Sequence, residues 1–172
     1  MPATTLNLDT RSEAVLDECR ENRFLLLRIW NDRLPRVVFC LTNPSTADES
    51  VDDPTARKVQ TYGRLWGYGS VAIVNTFSWR CTNPRELPVR RETPETVQRN
   101  FQHIEEAARA AHLVVCGWGR WGALGGRARA VRTLLRPFSP SVLRLISNGE
   151  PEHPLYLPLA LKPTHWDLGP SH

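Results

Sequence analysis

RVVFCLTNPSTADESVDDPTARKVQTYGRLWGYGSVAIVN, residues 36–75, decides how the chain is built. It opens on a near-unbroken apolar run, Arg36–Thr42, and closes on another, Ser70–Asn75 (SVAIVN). Between them a polar loop leads to Asp53-Pro54, an acid ahead of a proline at a first helical position. The helical pattern that follows runs to Trp66, where Gly67 and Gly69 supply the stop. Two strands apolar along their whole length, joined through a helix, indicate a parallel sheet buried on both faces.

The same alternation continues outward. Phe24–Trp30 (FLLLRIW), His112–Cys116 (HLVVC) and Ser141–Ser147 (SVLRLIS) read as further strands, and Thr93–Ala111 and Trp121–Arg136 as helices. Pro94 and Glu95 suit a first turn, and Val97, Phe101, Ile104 and Ala108 fall on one face. The expected fold is α/β, a three-layer α/β/α arrangement around a central, mostly parallel sheet of four to five strands. No repeat or linker interrupts it, so residues 1–172 read as a single domain with its core at about 24–158 and tails at 1–11 and 159–172.

Composition narrows the class. With 172 residues, 41% hydrophobic and 23% charged, the chain is neither disordered, fibrous nor a coiled coil. No apolar run approaches the length of a membrane span. The opening MPATTLNLDTRSEAV lacks the basic and apolar regions of a signal peptide, so a cytoplasmic location and no membrane partner are expected. Cys19, Cys40, Cys81 and Cys116 form no CxxC pair, so neither a metal nor a cofactor is expected, and the thiols read as structural.

The charge pattern suggests a partner. Twenty of the 22 basic residues are Arg, and from Glu106 to Glu150 seven Arg follow one another with no acid between. Arg grips phosphate through a planar fork that Lys lacks. GC-rich codons would also raise Arg over Lys, but they explain the acid-free stretch less well. Arg129, Arg132 and Arg136 share a helical stripe that would track phosphates or face solvent.

In α/β sheets ligands bind beyond the carboxyl ends of the strands. The loops there are Thr42–Asp48 with Val51–Thr55, Asn75–Arg80, Gly117–Gly122, and Asn148–Leu157. Together LTNPSTADESVDDPT, VNTFSWRCTNP, CGWGRWGALGGR and HPLYL resemble the bacterial and phage family known as domain of unknown function 1643, from about Leu25 to Pro158. That family in turn resembles, more loosely, the uracil-DNA glycosylase superfamily, whose fold is then the one implied. Thr42-Asn43-Pro44-Ser45 is similar to that superfamily's water-holding loop, Asn75 to its base-reading Asn, and His153-Pro154 to its C-terminal His motif. Thr42 stands in place of the usual glycine pattern, and Leu155 follows where Ser is usual.

The resemblance implies an N-glycosidase-like enzyme acting on a base in DNA, or on a nucleotide. Cleavage places positive charge on the sugar and negative charge on the departing base. Asn43 would position water, with Asp48, Asp52 or Asp53 as the base or as a stabiliser of the sugar cation. His153 would support the leaving oxygen, Asn75 would read the base edge, and Phe77 or Tyr62 would stack on the ring. Thr42, Pro44, Ser45 and Trp118 complete the pocket, and Arg120 and Arg127 would reinforce a phosphate contact at the glycine-rich loop. Most of these residues have structural readings too. Asn43 suits a turn, Asp52 and Asp53 suit helix caps, Asn75 can satisfy backbone, and Trp118 and Trp121 can pack over the sheet edge. A nucleic-acid-binding module without catalysis, or a hydrolase of free nucleotides or nucleosides, are the alternatives.

Overall fold

The structure, a computed structural model, describes residues 10–89 and 92–169. Its strands are β1 (Arg11–Leu16), β2 (Arg23–Ile29), β3 (Arg36–Leu41), β4 (Ser70–Asn75), β5 (Leu113–Cys116), β6 (Ser141–Val142) and β7 (Thr164–His165). The helices are α1 (Pro54–Leu65), α2 (Pro94–Arg109) and α3 (Arg127–Leu135). The sheet runs β1-β2-β4-β3-β5-β6-β7. Its centre, β4-β3-β5-β6, is parallel, while β1–β2, β2–β4 and β6–β7 pair antiparallel.

The α/β class is as expected, but the sheet is larger and more mixed. It has seven strands instead of four to five, and the expected mostly parallel arrangement holds only for its centre. The reversal at Asn31–Pro35 is too short for a crossover helix, so β2 and β3 run in opposite senses, and β4 fits between them. The run expected as strand 141–147 is cut to two residues, because Asn148-Gly149 turns the chain back on itself. Gly149 takes a left-handed φ of 82°, and Glu152 N–H donates to the Arg144 carbonyl at 2.8 Å. β1, β7 and the buried Trp166 carry sheet and core past both ends of the stretch read as core. The helix expected from Trp121 instead begins at Arg127: Gly125 and Gly126, at φ of 60° and 75°, break it from a 3₁₀ segment at Trp121–Gly126.

The apolar strands are explained by helices on both faces. Along β3, Val38 and Cys40 join Ile104 of α2 and Val131 of α3 in one core. Val37, Phe39 and Leu41 join Val59 and Tyr62 of α1 in the other. Side chains alternate along a strand, so a strand covered twice needs an apolar residue at every step. Each such residue contributes about 1.5–3 kcal/mol on burial.

Parallel register then sets the functional edge. Leu41 lies opposite Asn75 and Cys40 opposite Cys116, so the loops after β3, β4 and β5 leave the sheet side by side. They are laced together: Thr42 Oγ1 donates to the Trp118 carbonyl at 2.6 Å and Thr76 Oγ1 to the Thr42 carbonyl at 3.0 Å. No helix among the described residues is long and apolar enough to cross a membrane.

Candidate functional site

Where those loops meet, the surface opens into a cavity of about 400 Å³. Thr42, Asn43, Ser45, Asp53, Trp118 and His153 wall it, with Cys81, Trp121 and Tyr156 also at its lining. A second, water-sized void of about 20 Å³ adjoins it, since Asn43, Ser45, Asp53 and Thr55 line both. Arg23 and Asn75 close that void from beneath.

The structure therefore brings Asn43 and His153 to one cavity and sets Asn75 below them. It also separates the three carboxylates. Only Asp53 reaches the cavity. It caps α1, its Oδ1 accepting from Ala56 N–H at 2.8 Å, and its Oδ2 accepts from Ala47 N–H at 3.2 Å. These two bonds leave carboxylate lone pairs over. Asp48 instead folds an Asx turn, accepting from Ser50 and Val51, and meets Arg20; those bonds, the Ser50 amide foremost, hold its carboxyl below the usual range. Asp52 faces away from the cavity, bridging the buried Arg28 at 2.9 Å and Gln60 at 2.9 Å.

Asn43 has a structural task as well as a place at the site. Its Nδ2 donates to the Cys81 carbonyl at 2.8 Å and the Pro44 carbonyl at 3.0 Å, pinning the β3 loop to the β4 loop. Its amide thus turns donors inward to backbone. Asn75 is buried; its Oδ1 accepts from Arg23 at 3.3 Å and its carbonyl from Asn100 at 2.8 Å. It does not line the larger cavity.

His153 precedes the 3₁₀ turn Pro154–Tyr156, and its Nδ1 accepts from the Leu155 amide at 3.2 Å. Burial pushes its pKa down to about 4, against a smaller opposing pull from Asp53. The ring is therefore neutral at physiological pH, with its proton on Nε2.

The aromatic and basic residues divide differently from expectation. Phe77 is buried beneath Arg127, whose guanidinium stacks 4.3 Å from its ring, and Tyr62 is buried on the α1 side with its hydroxyl donating to the Pro158 carbonyl at 2.9 Å. Neither lines the cavity. Arg127 pairs with Glu92 and donates to the Thr76 carbonyl at 2.7 Å, so it locks loops together. Arg120 lies exposed over Trp121, 4.9 Å from the ring, at the cavity's margin. Trp118 is fully buried, packed on Trp166, and donates to Glu150 at 2.6 Å. The Arg stripe dissolves: Arg132 pairs with Glu150, Arg136 donates to the Gly169 carbonyl at 2.5 Å, and of the three only Arg129 is exposed.

Arg23, Cys81, Trp121 and Tyr156 were not among the expected site residues. Arg23 had a readable signal, an Arg directly ahead of the apolar run Phe24–Leu27, which has to be buried with a purpose. Burial lowers its pKa to about 10, and its Nε has no hydrogen-bond partner. Trp121 and Tyr156 lie in loops marked as strand ends, and Cys81 directly follows the Asn75–Arg80 loop. Among the described residues no three His, Cys, Asp or Glu side chains group as a metal site.

Residues 23–155 match the family described as "Protein of unknown function (DUF1643)". The chain belongs to that family. The matched span takes in the β3, β4 and β5 loops and His153, so the cavity is built almost wholly from DUF1643 sequence, with Tyr156 just past its end. No curated protein and no solved structure matches the chain.

Proposed function

We propose that this DUF1643 chain is a nucleobase-directed protein that hydrolyses an N-glycosidic bond in DNA. The observation that carries the reading is that Asp53 and His153, distant in sequence, wall one cavity beside Asn43. The Asp53 carboxylate offers negative charge to a developing sugar cation and free lone pairs to an attacking water. Neutral His153, its Nδ1 occupied by the Leu155 amide, has an Nε2–H to donate to the oxygen of the departing base. Asn43, anchored through Nδ2, keeps Oδ1 as an acceptor for the water. Arg23 and Asn75 position this floor from below. A base in duplex DNA would have to be flipped to enter. The resemblance of the Thr42–Ser45 and His153-Pro154 motifs to those of the uracil-DNA glycosylase superfamily supports the same chemistry.

A binding module without turnover is the second reading, favoured by the structural duties of Asn43 and Asp53. The test is incubation of the protein with single- and double-stranded oligonucleotides carrying uracil, hypoxanthine or alkylated bases, scoring alkali-labile abasic sites. Turnover lost in Asp53→Asn supports the glycosidase; binding without product across the panel supports the module.

A further inference from the structure

A second cavity, of about 570 Å³, lies on the outer side of α1. Ser12, Arg28, Ser50, Arg57, Gln60 and Arg64 line it, together with Asp52. Arg57, Gln60 and Arg64 fall on one helical face at i, i+3, i+7, so Arg57 and Arg64 stand about 10 Å apart along the axis. The one carboxylate in the wall is already satisfied, because Asp52 is held between buried Arg28 and Gln60. The acidic charge that could have neutralised the two exposed arginines is thus spent on a third.

Both arginines are nonetheless held in place by groups that leave their charge intact. Arg57 donates one Nη to the Asp52 carbonyl at 2.9 Å, and Arg64 lies 4.1 Å over the Trp30 ring, which is fixed by its own Nε1 bond to the Tyr68 carbonyl at 2.9 Å. Among the described residues neither makes an ion pair, whereas Arg28, Arg127, Arg132 and Arg144 each have an acid. Two pre-positioned, un-neutralised guanidinium forks facing a concave wall with hydroxyls at Ser12 and Ser50 have the chemistry of an oxyanion receptor. Pre-positioning lowers the ordering cost of binding.

We infer that this cavity is a phosphate-binding site, gripped by Arg57 and Arg64 with the two serines as neutral donors, while Gln60 is occupied by Asp52 and the Ala56 carbonyl. It does not rest on the glycosidase reading, and either can fail without the other.

The test is a ¹H–¹⁵N NMR titration of the whole chain with inorganic phosphate at low ionic strength. Saturable, concerted shifts of the Ser50 and Val51 amides and of the Arg57 and Arg64 Nε–H resonances are expected. Arg57→Gln with Arg64→Gln should weaken binding about tenfold or more, as lost charge-assisted bonds require. Arg57→Gln alone, which leaves the Trp30 stack untouched, should shift the affinity the same way without altering thermal unfolding. Displacement of phosphate by an oligonucleotide assigns the site to a nucleic-acid backbone; indifference to it assigns the site to a free phosphate-bearing ligand. No saturable shift at these groups, or equal affinity in the substituted chains, overturns the site.

Discussion

The Leu155 amide donates to Nδ1 of His153 across 3.2 Å, and this bond can exist only while that nitrogen is unprotonated. Protonating the ring would break the bond and place a cation against the protein wall.

The pH dependence of stability follows from that contact. Burial holds the folded pKa of His153 at about 4, below the ordinary value of 6.5. The unfolded chain therefore binds the proton more tightly. The stability due to neutral His153 is complete above about 6.5 and is lost as pH falls towards about 4. Part of the ring faces the cavity, so the full linkage value is discounted to a loss of about 1–2 kcal/mol between about pH 7 and about pH 5. Urea unfolding of the wild type and of His153→Asn at both pH values should show this loss in the wild type alone. An equal slope in both chains would remove the assignment.

Asp53 separates fold from chemistry. Asp53→Ala removes the α1 cap and the Ala47 bond and should cost about 1–2 kcal/mol in urea unfolding. Asp53→Asn keeps an oxygen for the cap, so its stability loss should be smaller, but it removes the charge. On the glycosidase reading its turnover should fall by about 100-fold or more, as loss of a transition-state charge partner does. Retained turnover in a folded Asp53→Asn chain would exclude a role for that charge.

Glu150 is the joint between the β5 loop and α3. Its two oxygens accept from Trp118 Nε1 and from Arg132, each at 2.6 Å, with only 13% of its side chain exposed. Arg132 Nε already lacks a partner, so Glu150→Ala would leave a half-buried cation without its acid and an indole N–H unpaired together. A loss of about 1–3 kcal/mol is expected. Arg132→Met on that background should recover part of it, because the uncompensated charge is then gone. Additive losses in the double-mutant cycle would contradict the coupling.

Much of this was legible in residues 36–75, because a strand buried on both faces leaves no polar step and Asp53-Pro54 announces a helix start. What escaped detection depends on partners far away in sequence. β1 has only Ala14, Val15 and Leu16 as an apolar signal, and its place comes from pairing with β2. SVLRLIS has a strand's composition, yet the Asn148-Gly149 turn wins it back for a loop. Among the candidate acids, Asp48, Asp52 and Asp53 are equivalent by type and proximity. Their fates diverge only because Arg20 and Arg28, on other segments, claim the first two. Arg stripes mislead for the same reason, since Glu150 lies outside the window in which α3 is read.

Tyr156 supplies the sharpest test of a polymer partner. It is 92% exposed, yet its neighbours are fixed: Pro154 and Leu157 are buried, and Leu157 N–H donates to the Pro154 carbonyl at 3.1 Å. The ring therefore stands in solvent on a rigid turn at the mouth of the cavity that His153 lines. An aromatic held this way loses little entropy on contact and offers a face on which any base can stack. Tyr156→Ala should leave thermal unfolding unchanged, since the side chain packs against little. It should weaken single-stranded oligonucleotide binding by about 1–3 kcal/mol, while Tyr156→Trp should preserve it. Fluorescence anisotropy at fixed ionic strength measures both. Were Tyr156→Ala to bind as tightly as the wild type, a nucleic acid could not be crossing the mouth of this cavity, and a free nucleotide held entirely inside would become the better substrate.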